Sequence, residues 1–199
     1  QTCALPIWVM PKASDKKEKL IESAGKLFHQ VGFNQTSIAD IAEDSGVPLG
    51  NVHYYFKTKA DLISEVLDNR KKSIESWFEE FEKLPNPKDR LVGMLGDMEK
   101  MKHKVVKYGC PVGSLCQELD KERMPVAKQA DGLIKIQLKW VIAQFRELRK
   151  KDAEELGLHW MSSIHGTALM ANALKDSKVI DSEIARLKSW IKKNLNFLN

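Results

Sequence analysis

Between Leu49 and Lys59 the chain gathers side chains suited to recognition rather than to bond-making: Asn51, His53, Tyr54, Tyr55, Lys57 and Lys59. Asn51 carries the donor and acceptor pair that suits an adenine edge. Tyr54 and Tyr55 can donate to phosphate oxygens while their rings brace the fold, and Lys57 and Lys59 can neutralise phosphate charge. His53 can meet a base or a phosphate, with a charge that follows pH. Gly50 has no side chain, so the backbone there can come close to a surface. Thr36 and Ser37 lie upstream; one of them caps a helix, and its hydroxyl can also reach a phosphate oxygen. The chemistry these types allow is the grip of a polyanion with some reading of its sequence.

The spacing says what holds them. Ile38, Ile41 and Ala42 form one apolar helical face. Ser45-Gly46-Val47 interrupts it, and Val52 with Tyr55 or Phe56 resumes it. Ala42 is small enough for two helices to approach steeply, Gly46 can take the positive φ of the turn, and Val47 plugs the angle between them. This predicts a helix-turn-helix whose second helix, about Pro48 to Tyr55, enters a DNA major groove. Leu49, Gly50, Asn51, His53 and Tyr54 then share the side facing away from Val52 and Phe56. Pro48 is tolerated at a first helical position. A preceding helix, with Leu20, Ala24, Leu27, Phe28 and Val31 as its stripe and Gly32 as its stop, completes a three-helix head. Asp15 with Glu18 has capping-box spacing at its start, and Lys12, Lys16 and Lys17 are either phosphate contacts or solvated surface charges. Thr58 and Asp61 are placed to cap the next helix, where the positive helix end favours an anion beside Lys57 and Lys59.

The order Gly32-Phe33, Thr36-Ser37, Ile41-Ala42, Ser45-Gly46-Val47, Tyr54-Tyr55-Phe56, Lys59 resembles the DNA-binding signature of the TetR family of bacterial one-component repressors. Its densest part is G-x-V-x-Y-Y-F-K-T-K-A-D-L at Gly50–Leu62. The resemblance implies an all-α homodimeric transcription factor: an N-terminal three-helix DNA-binding domain, then a variable C-terminal helical domain for ligand sensing and dimerisation. It implies a double-stranded DNA operator, a small-molecule inducer, no cofactor, and pairing of the last two helices with their copies. Two positions depart from the pattern. Pro48 stands where the family usually has Ser, removing a hydroxyl that caps or meets phosphate, and His53 stands where it usually has Tyr.

Composition bounds this reading without carrying it. The chain has 199 residues, 43% hydrophobic and 30% charged, with a net charge of +5, ordinary for a globular protein of one or two helical domains. Residues 1–72 hold 10 Lys/Arg against 9 Asp/Glu. The basic excess is therefore not concentrated in the proposed reader, and the motif bears the DNA expectation. Three cysteines make no disulfide framework. No stretch approaches the roughly 18 apolar residues of a membrane span, and Cys3 to Val9 is too short for a signal-peptide core; a cytoplasmic protein is expected. Residues 1–9 read as a non-native or disordered tail, with Met10 the natural start. The expected division is 10–60 for the DNA-binding head and 61–199 for the body.

Beyond the head, one helix is expected to continue to Phe81 and stop at Leu84-Pro85-Asn86-Pro87. The next spans about Lys88 to Lys107, with Leu91, Met94, Leu95, Met98, Met101 and Val105 inward. Its methionines read either as plain core or as an adaptable ligand face. Glycines and Pro111 turn the chain before a short helix holding Leu115, Cys116 and Leu119. Long helices follow over Met124–Lys150, Asp152–Lys175 and from Asp181 on, the latter two with apolar sets (Leu156, Trp160, Ile164, Ala168, Leu169, Ala173; Ile184, Leu187, Ile191, Leu195) too extensive to be covered within one chain. Trp77, Phe78, Met94, Met98, Cys110, Trp140, Phe145 and His165 are the residues expected to line a mostly apolar cavity. Cys110, in a turn near Lys102, Lys104 and Lys107, is either inert or a thiol sensor of oxidants and electrophiles. Cys110, Cys116 and His103 match no zinc spacing, so no metal is expected. A helical enzyme remains the rival class, but no phosphate loop or nucleophile–base signature supports it.

Overall fold

The computed structural model describes residues 16–195. The readings for the tail at 1–9, Met10, Lys12 and Asp15 fall outside those residues. Within them the chain forms α1 (Lys16–Gln30), α2 (Ile38–Ser45), α3 (Leu49–Tyr55), α4 (Lys59–Glu82), α5 (Pro87–Tyr108), α6 (Gly113–Lys121), α7 (Ala127–Glu147), α8 (Ala153–Leu174) and α9 (Lys178–Asn194), and no strand. The packing divides the chain into two compact units. One takes in the chain through Trp77 together with Pro111–Ile134; the other takes Phe78–Cys110 and the chain from Lys135 on. The first unit thus includes α6 and most of α4 besides the three helices of the head.

In the first unit, α1 buries Leu20, Ile21, Ala24 and Phe28. It stops at Gly32, whose φ of +106° is the left-handed conformation only glycine adopts cheaply. The amides of Val31 and Gly32 both reach back to the Leu27 carbonyl. Val31, expected on the inner stripe, is instead 54% exposed; α1 has ended, so helical spacing no longer aims it inward. Ser37 caps α2 in a reciprocal box: its hydroxyl accepts from the Asp40 amide at 3.1 Å, and the Asp40 carboxylate accepts from the Ser37 amide at 2.7 Å. Gly46 ends α2 at φ +67°, with Val47 and Val52 buried beyond it. The Ser45 hydroxyl donates to the Ala42 carbonyl and accepts from the Val47 amide, stitching the turn. Pro48 sits one place earlier than expected, at the N-cap position of α3, and makes no side-chain cap. Thr58 and Asp61 form the expected box at the start of α4. That helix buries Leu62, Ile63, Val66, Leu67 and Ile74 completely, each worth about 1.5–3 kcal/mol against exposure.

In the second unit, Asn86 caps α5 by accepting from the Asp89 amide at 3.0 Å, with Pro87 at the first turn. Helices α5, α8 and α9 pack on one another. Gly157 of α8 lies where any side chain would run into the side chain of Ile142 of α7, so a larger residue forces this approach to shift. Phe145 is fully buried, edge-on to both Trp160 and Trp190. Helix α9 begins at Lys178 rather than Asp181, because Asp176 accepts from the Lys178 amide and fully buried Ile180 pulls the first turn inward. On α8, Leu158, Leu169, Met170 and Leu174 stay exposed.

Candidate nucleic-acid interface

Helix α3 is held from behind by Val52 and Phe56, both buried, and turns its other side outward. Leu49 is 47% and Tyr54 80% exposed, Gly50 and His53 are exposed, and Asn51 and Tyr55 are half-buried. The Tyr54 and Tyr55 rings meet edge to face at 5.1 Å. That contact braces Tyr54 without using its hydroxyl. At the Gly50 position no atom lies within 4 Å of where a side chain would begin, so the backbone is open to close approach. Ser37 and Lys57 are exposed at the flanking helix starts.

Two residues expected to contact phosphate bond within the head. Thr36 is 2% exposed and its hydroxyl donates to the Gly32 carbonyl at 2.7 Å. With Ser37 as the cap, Thr36 serves the α1–α2 turn. Lys59 donates its ammonium to the Phe33 carbonyl and lies 4.2 Å over the Phe33 ring. Burial pulls its pKa below the usual 10.5, partly opposed by the charges of Glu118 and Asp40. Half-buried, it links the start of α4 to the connection after α1. Lys17 pairs with Glu65 at 2.8 Å and lies over the Phe56 ring, so it too is occupied.

Electrostatics support the cap and the α1–α2 contact. The Asp40 carboxyl is held below its ordinary 3.8 by the amide and hydroxyl of Ser37. Asp44 is held low by the Lys26 ammonium and the Ser23 hydroxyl, which tie α2 to α1.

A contact with no local sequence signal completes this unit. Glu118 of α6 accepts two backbone N–H groups of the α1–α2 connection, Phe33 at 2.8 Å and Asn34 at 2.7 Å. Glu122 accepts from the Asn34 side chain at 3.1 Å. A carboxylate bridging two amides is a strong, directional clamp, and it anchors the turn that leads into Ser37. Arg70 of α4 donates to the Pro111 carbonyl at 2.7 Å, securing the chain just before α6.

The residues expected to line a ligand cavity fall, all but one, in the second unit. Trp77 belongs to the first unit; Phe78, Met94, Met98, Cys110, Trp140, Phe145 and His165 belong to the second. Phe78 and Trp140 stack at 4.4 Å with planes 6° apart, and the Trp140 N–H donates to Glu82 at 2.7 Å. Glu82 also pairs with Arg90 at 3.0 Å. Phe145 is spent on Trp160 and Trp190 as core. Cys110 and His165 do meet: Sγ and Nδ1 are 3.5 Å apart. Burial lowers the His165 pKa, but the hydrogen bond and charge of Cys110 outweigh it, leaving the imidazole above its usual 6.5. Two of the three lysines expected near Cys110 are engaged with other groups, Lys102 with Asp181 and Lys107 over the Tyr108 ring. Among the described residues, no group of three or more His, Cys, Asp or Glu is placed to hold a metal ion, and no helix is long and apolar enough to cross a membrane.

Fold and site together define a class: an all-helical protein with a capped helix-turn-helix whose second helix presents a polar and aromatic face. Residues 20–66 match the profile described as bacterial regulatory proteins, tetR family. A regulator encoded in the lacX 3′ region of Lactococcus lactis subsp. lactis, named an uncharacterized HTH-type transcriptional regulator, is 26% identical over 197 residues, covering 89% of this chain and 93% of its own. The HTH-type transcriptional regulator TtgR of Pseudomonas putida is 36% identical over 58 residues, 29% of this chain and 28% of its own. A crystallised TetR transcriptional regulator from Legionella pneumophila superposes with a TM-score of 0.79 at 18% identity, covering 90% of this chain and 98% of that one. The head thus carries the DNA-binding signature of the tetR family, and over most of its length the chain is similar to HTH-type transcriptional regulators.

Proposed function

We propose that this protein is a cytoplasmic, non-enzymatic repressor that binds a palindromic DNA operator as a homodimer and releases it when a small molecule occupies the C-terminal helical domain. The observation that carries this reading is the outward face of α3, where Leu49, Gly50, His53 and Tyr54 are exposed over a buried Val52. Asn51 reads a base edge, Tyr54 and Lys57 meet phosphates, and Ser37 adds its exposed helix start. Thr36 and Lys59 leave the contact set because the fold uses them internally.

The exposed Leu158, Leu169, Met170 and Leu174 on α8 support pairing with a second copy. An isologous dimer would set two heads about 34–36 Å apart, one turn of DNA. An inducer that favours a conformation with a different head spacing weakens DNA binding, and DNA weakens the inducer equally.

Fluorescence anisotropy tests this with the DNA upstream of the protein's own gene and a shuffled control, across a salt series. The expected result is a preference of about a thousandfold or more and a steep loss of affinity with salt. Equal affinity for both sequences would end the reading. Leu169→Glu should yield monomers by sedimentation and lose operator binding.

A second reading, regulation through the Cys110 thiol, is favoured by the 3.5 Å contact between Cys110 and His165. Modification of Cys110 then replaces occupancy by a reversible ligand.

A further inference from the structure

We infer that Cys110 and His165 form a reactive pair for electrophiles in which a carbonyl is conjugated to a carbon–carbon double bond. The inference rests on the thiol-regulated reading for its biological use and on geometry for its chemistry.

The two faces of the His165 ring differ. Nδ1 stands 3.5 Å from Cys110 Sγ, within hydrogen-bond range for sulfur. Nε2 is buried and has no hydrogen-bond partner among the described residues. With Nδ1 accepting the thiol proton, Nε2 carries the ring's own hydrogen, and that donor is stranded. Transfer of the thiol proton to Nδ1 makes a thiolate, the reactive form of cysteine. It also makes an imidazolium whose Nε2–H is more in need of an acceptor than before. A reagent that brings a carbonyl oxygen along with a soft carbon satisfies both groups at once.

The step balances without an outside oxidant or reductant. Sγ bonds to the β-carbon, and the electron pair of the C=C bond moves through the conjugated system onto the carbonyl oxygen. Nε2 gives that oxygen its proton, and the ring returns to neutral with its hydrogen now on Nδ1. The enol reverts to the ketone, so the net change is addition of S–H across the double bond. Cys110 is half-buried, at a turn opened by Gly109 with φ +81°. Nε2 is covered in this conformation, so an adduct that reaches it displaces what covers it. A group satisfied only in the displaced state shifts the population toward that state.

The test uses the full chain, with cyclohexenone as probe and benzyl bromide, an alkylating reagent without oxygen, as comparator. Adducts on each cysteine are followed by peptide mass spectrometry. Cyclohexenone should add at Cys110 well ahead of Cys116, and Cys110→Ser should abolish that adduct. In His165→Asn the cyclohexenone rate should fall by about a hundredfold, as for loss of a general acid, and the benzyl bromide rate by much less. Equal loss for both reagents would overturn the assignment, since His165 would then only supply thiolate. Unchanged rates would overturn the pair altogether. If His165→Asn melts early by circular dichroism, His165→Gln, which keeps a donor near Nε2 but no transferable proton, takes its place with the same expectations. Operator binding is measured in parallel. An adduct that forms at the expected rates yet leaves DNA affinity unchanged overturns the thiol-regulated reading alone and upholds the chemistry.

Discussion

The α2–α3 head and the α5–α8–α9 body are both helical, yet they are determined over different distances along the chain. In the head, the helix caps and the turn close within a few residues, Ser37 with Asp40, Ser45 with Val47 and Thr58 with Asp61, and the Glu118 clamp is a long-range addition to them. The recognition face of the head is presented by one seven-residue helix. In the body, the contacts that set chemistry span the chain, as between Cys110 and His165, 55 residues apart, or Trp140 and Glu82, 58 apart. A short-range surface can keep its geometry while the residues behind it vary. A long-range site changes with every helix that frames it.

The comparison breaks most visibly under substitutions that separate fold from face. Phe145→Ala removes a fully buried ring between two tryptophans, and denaturant unfolding should show a loss of about 3–5 kcal/mol. Glu118→Ala strands the Phe33 and Asn34 amides. It should cost about 1–3 kcal/mol and raise amide exchange in the α1–α2 connection, although the substitution lies on α6. If exchange there does not change, the clamp is not what holds the turn. Ser37→Ala should cost about 1 kcal/mol through the lost cap, a purely local effect.

Smaller effects sharpen the assignment of the two lysines. Lys57→Ala should lower the slope of log affinity against log salt by about 0.9 with little change in stability. Lys59→Ala should do the reverse, lowering the melting temperature and leaving the slope intact. A slope change in the Lys59 variant would restore it to the phosphate contacts. The smallest effect concerns acid. The Asp44 carboxyl is held below its ordinary 3.8 by Lys26 and Ser23. Its contribution is complete above that ordinary value and is lost as pH falls through the lower folded one. Asp44→Asn should therefore flatten the loss of stability between about pH 5 and pH 3, as read by urea midpoints.

Local spacing made the helix-turn-helix, its caps and its outward residues legible before any coordinates, because each depends on backbone conformation and hydrogen bonds within one or two turns. Gly46 is the plainest example: a positive φ, a helix end and an approach between helices all ask for glycine at that place. The same reasoning could not choose between Thr36 and Ser37, adjacent hydroxyls of which one caps outward and the other donates inward to Gly32. It placed Lys59 on the surface because a lysine at a helix start has phosphate as its natural partner. Tertiary packing instead brought the Phe33 carbonyl and ring within reach.

The identity of the head, the succession of helices and the likeness to the tetR family follow from periodicity, turn chemistry and a dense motif, all properties of neighbouring residues. Which groups meet across the molecule does not. Helical spacing tells which face of a helix is apolar, but not which other helix will cover it. The Glu118 clamp, the bond of Lys59 to Phe33 and the contact of Cys110 with His165 therefore arose only when distant helices packed together.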